Sequence, residues 1–534
     1  MQASKAPGLV TRGPERRLAR EAVAFTRAQS RTYNRSLTSL GDAFADIYTS
    51  VLAFGCAAAM AVSFVFALRD GIEGNDPGRS GLVTGSPLQL PAAVLWFLMT
   101  YAALAGILTV ARRLGPVAVT GAQGAWWLPL PVDRGPMVLP TFRRRIIWVG
   151  LGSAVGYLPF SLLTGLDLTV GAHAAAAATF GAAALTVLGA AAILQLGPQG
   201  ARTGRRAGAA VIALVLALLA LLPRVAGTGW PPGMPGMPGL GAVALAVAAA
   251  VVVLTVALRR AGTVGSTELI RGGAVSGHAG ASVFFLDANE LLRSLAGEPR
   301  SAAAGRAAEL YRRPTRGPLA GLVRADIAAF LRLQPGFTAP GLWLAACLAL
   351  MISDAGLPAP MQLAFVAVAG CAVASGMGTV ARRTALLPEL DALLPLSPAQ
   401  VRASRMLMPA AALALWMTVL TGTLVLLGAG GPLLVLMGAL AGLGMGAGTV
   451  RGATRPAADW TLPPVDTPMG PVPRTQLASL LRGLDATILC LLPTGLALYL
   501  GQAFPALLAA QAVVSGAAVL LVLLSGPARP GAGR

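Results

Sequence analysis

Lysine is almost missing from this chain of 534 residues: Lys5 stands alone, and the rest of its 41 basic residues are arginine. A phosphate loop of the form Gly-x-x-x-x-Gly-Lys-Ser/Thr needs a lysine near its end. Lys5 comes too early to serve, so the chain cannot carry such an ATP-hydrolysing site. Histidine is nearly as scarce, with only His173 and His278, far apart in sequence and without ligand-like neighbours. The four cysteines, Cys56, Cys347, Cys371 and Cys490, each fall inside an apolar run and fit no zinc or disulfide spacing. They read as small buried hydrophobes, and no metal or cofactor is expected. Charge of either sign is sparse, at 12% of residues, against about 25% in soluble domains. That excludes a soluble enzyme. The first 40-odd residues contain no apolar run, so no cleavable signal peptide is expected and the first span should act as its own insertion signal.

What the chain does have is apolar sequence, 55% of residues, gathered into runs. About 20 apolar residues cross a bilayer as a helix. The runs lie at 48–68, 91–110, 146–166, 171–195, 207–222 and 239–258, then at 341–353, 360–380, 406–428, 431–450, 484–503 and 505–525. The expected fold is all-α: a polytopic transmembrane helix bundle of about twelve spans in two similar six-helix halves. On this reading 1–47 is a basic N-terminal segment and 48–258 the first half. A linker, 259–340, carries an interfacial helix, 341–525 is the second half, and 526–534 is a tail. The runs 207–222 and 341–353 are the shortest for a span.

The formal net charge is +20. Nucleic acid is not the expected partner, because the positive charges fall in loops between apolar runs, the pattern that orients membrane proteins. With the N-terminus inside, only Arg69, Arg79 and Arg224 fall outside. Both termini and the segment 259–339 are then cytoplasmic. The preference for arginine over lysine, with abundant alanine and glycine, suits a bacterial genome rich in G and C. The expected location is therefore a bacterial inner membrane, with membrane lipids as partners.

The halves resemble each other in their second cytoplasmic loops. Ala111-Arg112-Arg113 and Ala381-Arg382-Arg383 end the second and eighth spans. About a dozen residues later come Leu128-Pro129-Leu130 and Leu394-Pro395-Leu396. Next, Ser397-Pro398-Ala399-Gln400 offers an N-cap serine, a proline at the first helical position and a glutamine three residues on. In the first copy Asp133 can cap, beside Arg134, and Arg143-Arg144-Arg145 closes the segment. Trp460 to Asp466 echoes Trp127 to Asp133 more faintly. Before the seventh run, Leu319, Leu322, Val323, Ile327, Phe330 and Leu331 recur at helical spacing, which predicts an interfacial helix. In the tenth run Gly438 and Gly442 have the spacing that lets helices approach closely, read as packing within one bundle. Asp287 to Glu290 reads as a helix cap, not as a catalytic group.

This layout resembles the permeases of type-2 ABC exporters. Those carry an interfacial elbow helix, six spans per half, and a cytoplasmic coupling helix between the second and third spans. Leu322 to Arg332 looks like the elbow, and Leu394 to Arg402 like the coupling loop. The chain also looks like an uncharacterised family of bacterial polytopic membrane proteins. The exporter resemblance implies a separate ATP-binding subunit docking on two loops, 126–145 and 393–405. The implied docking positions are Leu128, Pro129, Leu130, Asp133 and Arg134 in the first loop. In the second they are Leu394, Pro395, Leu396, Ser397, Gln400 and Arg402. It implies no catalytic residue in this chain. The alternatives are an ion-coupled secondary transporter, which needs ionisable ligands in the membrane, and a non-transporting scaffold. Asp46, Asp167, Asp354 and Asp485 lie only near span ends.

Overall fold

Apolar run after apolar run is helical in the computed structural model. It describes residues 12–37, 39–74, 81–83, 88–166, 168–196, 240–284, 290–291, 294, 312, 314–333, 338–455, 463, 465–467, 470–472 and 483–525. The helices up to the chain's middle are α1 Arg12–Leu37, α2 Leu40–Glu73, α3 Ala92–Leu114, α4 Gly121–Trp127, α5 Gly135–Thr164, α6 Val170–Gln195, α7 Leu240–Arg260 and α8 Ser266–Phe284. There follow α9 Pro318–Leu333, α10 Thr338–Met351, α11 Ala359–Met377, α12 Thr379–Thr384, α13 Pro388–Ala392, α14 Pro398–Leu426, α15 Leu433–Ala453, α16 Leu484–Tyr499 and α17 Pro505–Leu524. Among the described residues the only strands are β1 Val465–Thr467 and β2 Gly470–Val472, paired antiparallel.

The chain is therefore a polytopic membrane helix bundle. Eight described helices are long and apolar enough to cross a membrane, or nine if α9 and α10, bent by 71° at their junction, count as one. The sequence expectation was twelve. The run 207–222 lies outside the described residues, as do the loop 223–238, the tail 526–534, Trp460–Leu462, Asp287, Glu298 and Glu309. The runs 341–353 and 484–503 form helices of only 14 and 16 residues. The run 48–68 lies within α2. Two spans begin earlier than their apolar runs. α5 starts at Gly135 and α14 at Pro398, so the polar stretch after each proline turn is the first part of the long helix.

Two compact units divide the chain: Met1–Gly74 with Trp96–Gly277, and Asn75–Leu95 with His278–Arg534. The boundaries depart from 48–258 and 341–525. Residues 81–83 and 88–92 belong to the second unit, where Leu82 and Leu90 are hydrogen-bonded through their backbone. Leu90 N–H donates to Ile352 O at 3.0 Å, Asp354 N–H to Leu90 O at 3.1 Å, and Leu82 N–H to Gln362 Oε1 at 3.1 Å. In the first unit, α6 is apolar on every side and packs between α5 and α7, as a fully buried helix does.

The second unit is organised around α15, which packs on α14, α16 and α17. Its glycines explain how. A Cβ at Gly442 would overlap Leu413 O and Ala414 Cα, and one at Gly446 would overlap the Ala410 backbone, both on α14. A Cβ at Gly444 would meet Cys490 Sγ and Ser515 Cα, on α16 and α17. Two glycine edges thus let one helix sit against three neighbours, the close packing that small residues permit in membranes.

The helix before the seventh run, α9, forms as predicted, but its faces are sorted differently. Leu319 and Leu331 are exposed, whereas Asp326 is buried with Ala328 and Phe330. The inward carboxylate is held by an arginine of α14, and the apolar pattern of α9 could not reveal that partner.

Candidate functional site

Each unit carries a short helix, a proline turn and a long helix in that order. In the second unit α13 ends, Leu394 N–H donates to Asp391 O at 3.3 Å, and Leu396 N–H donates to Leu394 O at 2.8 Å. That last bond closes a three-residue turn over Pro395, whose fixed φ suits it. Ser397 then caps α14 in a full capping box. Gln400 N–H donates to Ser397 Oγ at 3.3 Å, and Ser397 N–H donates to Gln400 Oε1 at 2.9 Å. In the first unit α4 ends, Leu130 N–H donates to Trp127 O at 3.2 Å, and Val132 N–H donates to Leu130 O at 2.9 Å over Pro131. Asp133 Oδ1 then accepts from Gly135 N–H at 2.9 Å. The structural counterpart of Leu394-Pro395-Leu396 is therefore Leu130-Pro131-Val132. The sequence match to Leu128-Pro129-Leu130 is two residues out of register, because the repeated letters Leu-Pro in 128–131 permit two alignments. The Ser397→Ala variant is expected to cost about 1 kcal/mol. It should lower the midpoint of thermal unfolding while leaving helical circular dichroism intact.

Each turn is braced from the helix that precedes its unit's spans. In the first unit Arg16 of α1 donates to Asp133 Oδ2 at 2.6 Å. In the second, Arg405 of α14 pairs with Asp326 of α9, and with Asp391 of α13 at 3.0 Å. Ser404 Oγ donates to the other Asp326 oxygen at 2.5 Å. The polarity is reversed between the units, with an arginine on the preceding helix in one and a carboxylate in the other. Asp326 and Arg405 are nearly inaccessible, whereas Arg16 is half exposed. Only the second brace is screened weakly enough to count strongly. Burial raises the Asp391 carboxyl above its ordinary value. Burial also pulls the Arg382 guanidinium of α12 down to about 10. Arg382 Nη2 donates to Ser375 O at 2.6 Å, stopping the end of α11.

The predicted docking positions divide into presented and committed residues. Pro129, Leu130, Pro395, Ser397 and Gln400 are exposed. Leu128 packs with Trp127 and Val132 against the core that holds Phe142 and Leu269. Leu394, Leu396, Asp133 and Arg134 are half-buried. Arg402 is not presented. Its Nη1 donates to Val522 O at 3.0 Å and to Ser525 Oγ at 3.2 Å, fastening α14 to the carbonyl end of α17, where a cation is favoured.

Three features escaped the sequence reading. Trp126 is 77% exposed at the end of α4. Leu386, Leu387, Leu390 and Leu393 are all exposed on and around α13, Leu393 at 80%. Arg405 is the hub of the second brace. The leucines recur at 386, 390 and 393, a helical spacing visible in sequence, but α13 has only five residues and no apolar run marks it.

Two described carboxylates near the span ends are taken up structurally. Asp354 Oδ1 accepts from Ala92 N–H at 2.5 Å. Asp485 Oδ1 accepts from Gly483 N–H at 2.8 Å, and its Oδ2 pairs with Arg451 at 3.2 Å. His173 Nδ1 bonds Ser161 Oγ at 2.8 Å. Asp167 and the Asp46 side chain lie outside the described residues. No curated protein and no solved structure matches the chain significantly. A family model does match residues 89–463, more than half of the chain and inclusive of both proline turns, and the chain accordingly belongs to the family of unknown function DUF6297.

Proposed function

We propose that this protein is the membrane permease subunit of an ATP-driven exporter, and that a separate ATP-binding subunit docks on the two proline-turn connections. The observation that carries the reading is the group of exposed leucines on and around α13, Leu386, Leu387, Leu390 and Leu393, next to a turn that Arg405 braces through Asp391. Glu389 and Asp391 interleave with the leucines, which suits a water-facing contact better than hydrocarbon. A cluster of exposed apolar side chains on a polar connection marks a protein contact, and large apolar anchors carry most of the energy of such contacts. Trp126 and Leu130 supply the smaller counterpart in the first unit. Force applied at either turn passes directly into α5 or α14, because each turn is continuous with its long helix. The reading places this end of each unit and both termini in the cytoplasm of a bacterial cell, with about twelve spans in all.

The structural uses of Asp354 and Asp485 favour this over an ion-coupled transporter, whose cation needs available ligands. The test is co-purification from native membranes in mild detergent, with ATPase activity assayed in the eluate. A soluble ATPase with a phosphate loop is expected to co-elute. Replacing Leu387, Leu390 and Leu393 by serine should remove at least about nine-tenths of it, the loss of 1.4 kcal/mol or more that an anchor cluster carries. An ATPase retained in full by that variant, or none recovered with the unaltered protein, overturns the proposal.

A further inference from the structure

The first unit contains an open cavity of about 1060 Å³ walled by α1, the start of α5 and the turn after α7. Six arginines line it: Arg16, Arg20 and Arg27 from α1, Arg134 and Arg143 beside and on α5, and Arg259 from α7. Among the described residues the acids in its wall are Glu15 and Asp133, and Asp133 is already paired with Arg16. Arg20, Arg27, Arg134, Arg143 and Arg259 make no ion pair with any described residue.

The rule that places arginines at one membrane face accounts for their presence at this end. It does not account for their convergence on one hollow. The matching place in the second unit shows the alternative, because there Arg405 meets Asp326 and Asp391. Six arginines with only two carboxylates among them leave an excess of positive charge that favours an anion in the hollow. The wall is not only cationic. Val23, Leu139, Leu258 and Val264 share it, and α1 exposes Leu18 and Phe25, one seven-residue repeat apart on a single face. A helix with arginines on one side and apolar residues on another suits a membrane interface.

We infer that this cavity binds the phosphate headgroup of an anionic phospholipid, with the glycerol and acyl portion against the apolar wall. Basic pockets between helices at the cytoplasmic side of membrane proteins suit such headgroups. The cytoplasmic placement rests on the orientation proposed above, and the cavity shares Asp133 and Arg134 with the first connection, but lipid binding itself needs no partner subunit.

The test is native mass spectrometry of the delipidated full-length protein, titrated with phosphatidylglycerol, cardiolipin and phosphatidylcholine. The anionic lipids are expected to bind at least about tenfold more tightly, the effect of one or two such arginines. The variant R20Q/R27Q/R143Q/R259Q should lose that preference, and R312Q/R316Q/R332Q in the second unit should keep it. If the glutamine variant is not monodisperse, the same four positions as lysine should keep the preference. Lack of preference in the unaltered protein, or its survival in the glutamine variant, overturns the site. Full displacement of the lipid by millimolar inorganic phosphate or ADP would assign the cavity to a soluble phosphate and overturn the lipid assignment.

Discussion

Arg405→Ala is expected to destabilise the second unit by about 3–5 kcal/mol, the range for leaving a buried charge without its partner. The reason is geometric. Arg405 is about nine-tenths buried, Asp326 more so, and the guanidinium reaches Asp326 and Asp391 at once. Removing it leaves Asp326 with Ser404 Oγ at 2.5 Å as its remaining side-chain partner. The turn carrying Leu393 then loses its link to α9. Thermal unfolding in detergent should show the drop, and limited proteolysis should cut near 386–397 far faster than in the unaltered protein. The double replacement Asp326→Leu with Arg405→Met should recover much of the loss, since a buried ion pair exchanged for packed apolar groups is often neutral or stabilising. If Arg405→Ala unfolds at the unaltered midpoint, the brace is not structural.

The second large effect lies in the glycine edge of α15. Gly442→Ala places a methyl group against Leu413 O and Ala414 Cα, which are backbone atoms and cannot swing aside. Gly446→Ala does the same against Ala410. Each is expected to cost about 1–3 kcal/mol as overpacking, and Gly442→Leu should prevent folding of the second unit. Gly422→Ala on α14 is the control, because nothing lies within 4 Å of a Cβ there. Yield of monodisperse protein and the unfolding midpoint read all four variants. Equal behaviour of Gly442→Ala and Gly422→Ala would contradict the packing of α14 on α15.

Several features were legible in the sequence because they are local. The apolar runs mark α3, α6, α11 and α15 within a few residues. Ser397, Pro398 and Gln400 announce a helix start that the structure realises atom for atom. The glycines at 438 and 442 signal close approach within one bundle. Non-local features were not legible. Nothing around Asp326 says that it turns inward, since its apolar neighbours predict the opposite face and its partner lies 79 residues away. That the capped polar stretches are continuous with the spans of α5 and α14 was not legible, because their first turns are polar and apolar periodicity does not detect a helix before it enters hydrocarbon. The register of the turn repeat was ambiguous by two residues until the backbone hydrogen bonds over Pro131 and Pro395 fixed it. The exposed leucines around α13 were missed because α13 is shorter than the window over which periodicity can be read.

The central claim is that the exposed leucines on and around α13 and the exposed end of α4 face a soluble ATPase. It is tested most directly by photo-crosslinking in living cells, with a photoreactive residue placed singly at Trp126, Leu390 or Leu393, and at the also exposed Leu426 and Leu524 as controls. The account predicts a protein adduct at the first three positions, containing a phosphate-loop ATPase, and only lipid adducts at the two controls. Lipid adducts alone at Leu390 and Leu393 would place these leucines in the membrane and contradict it.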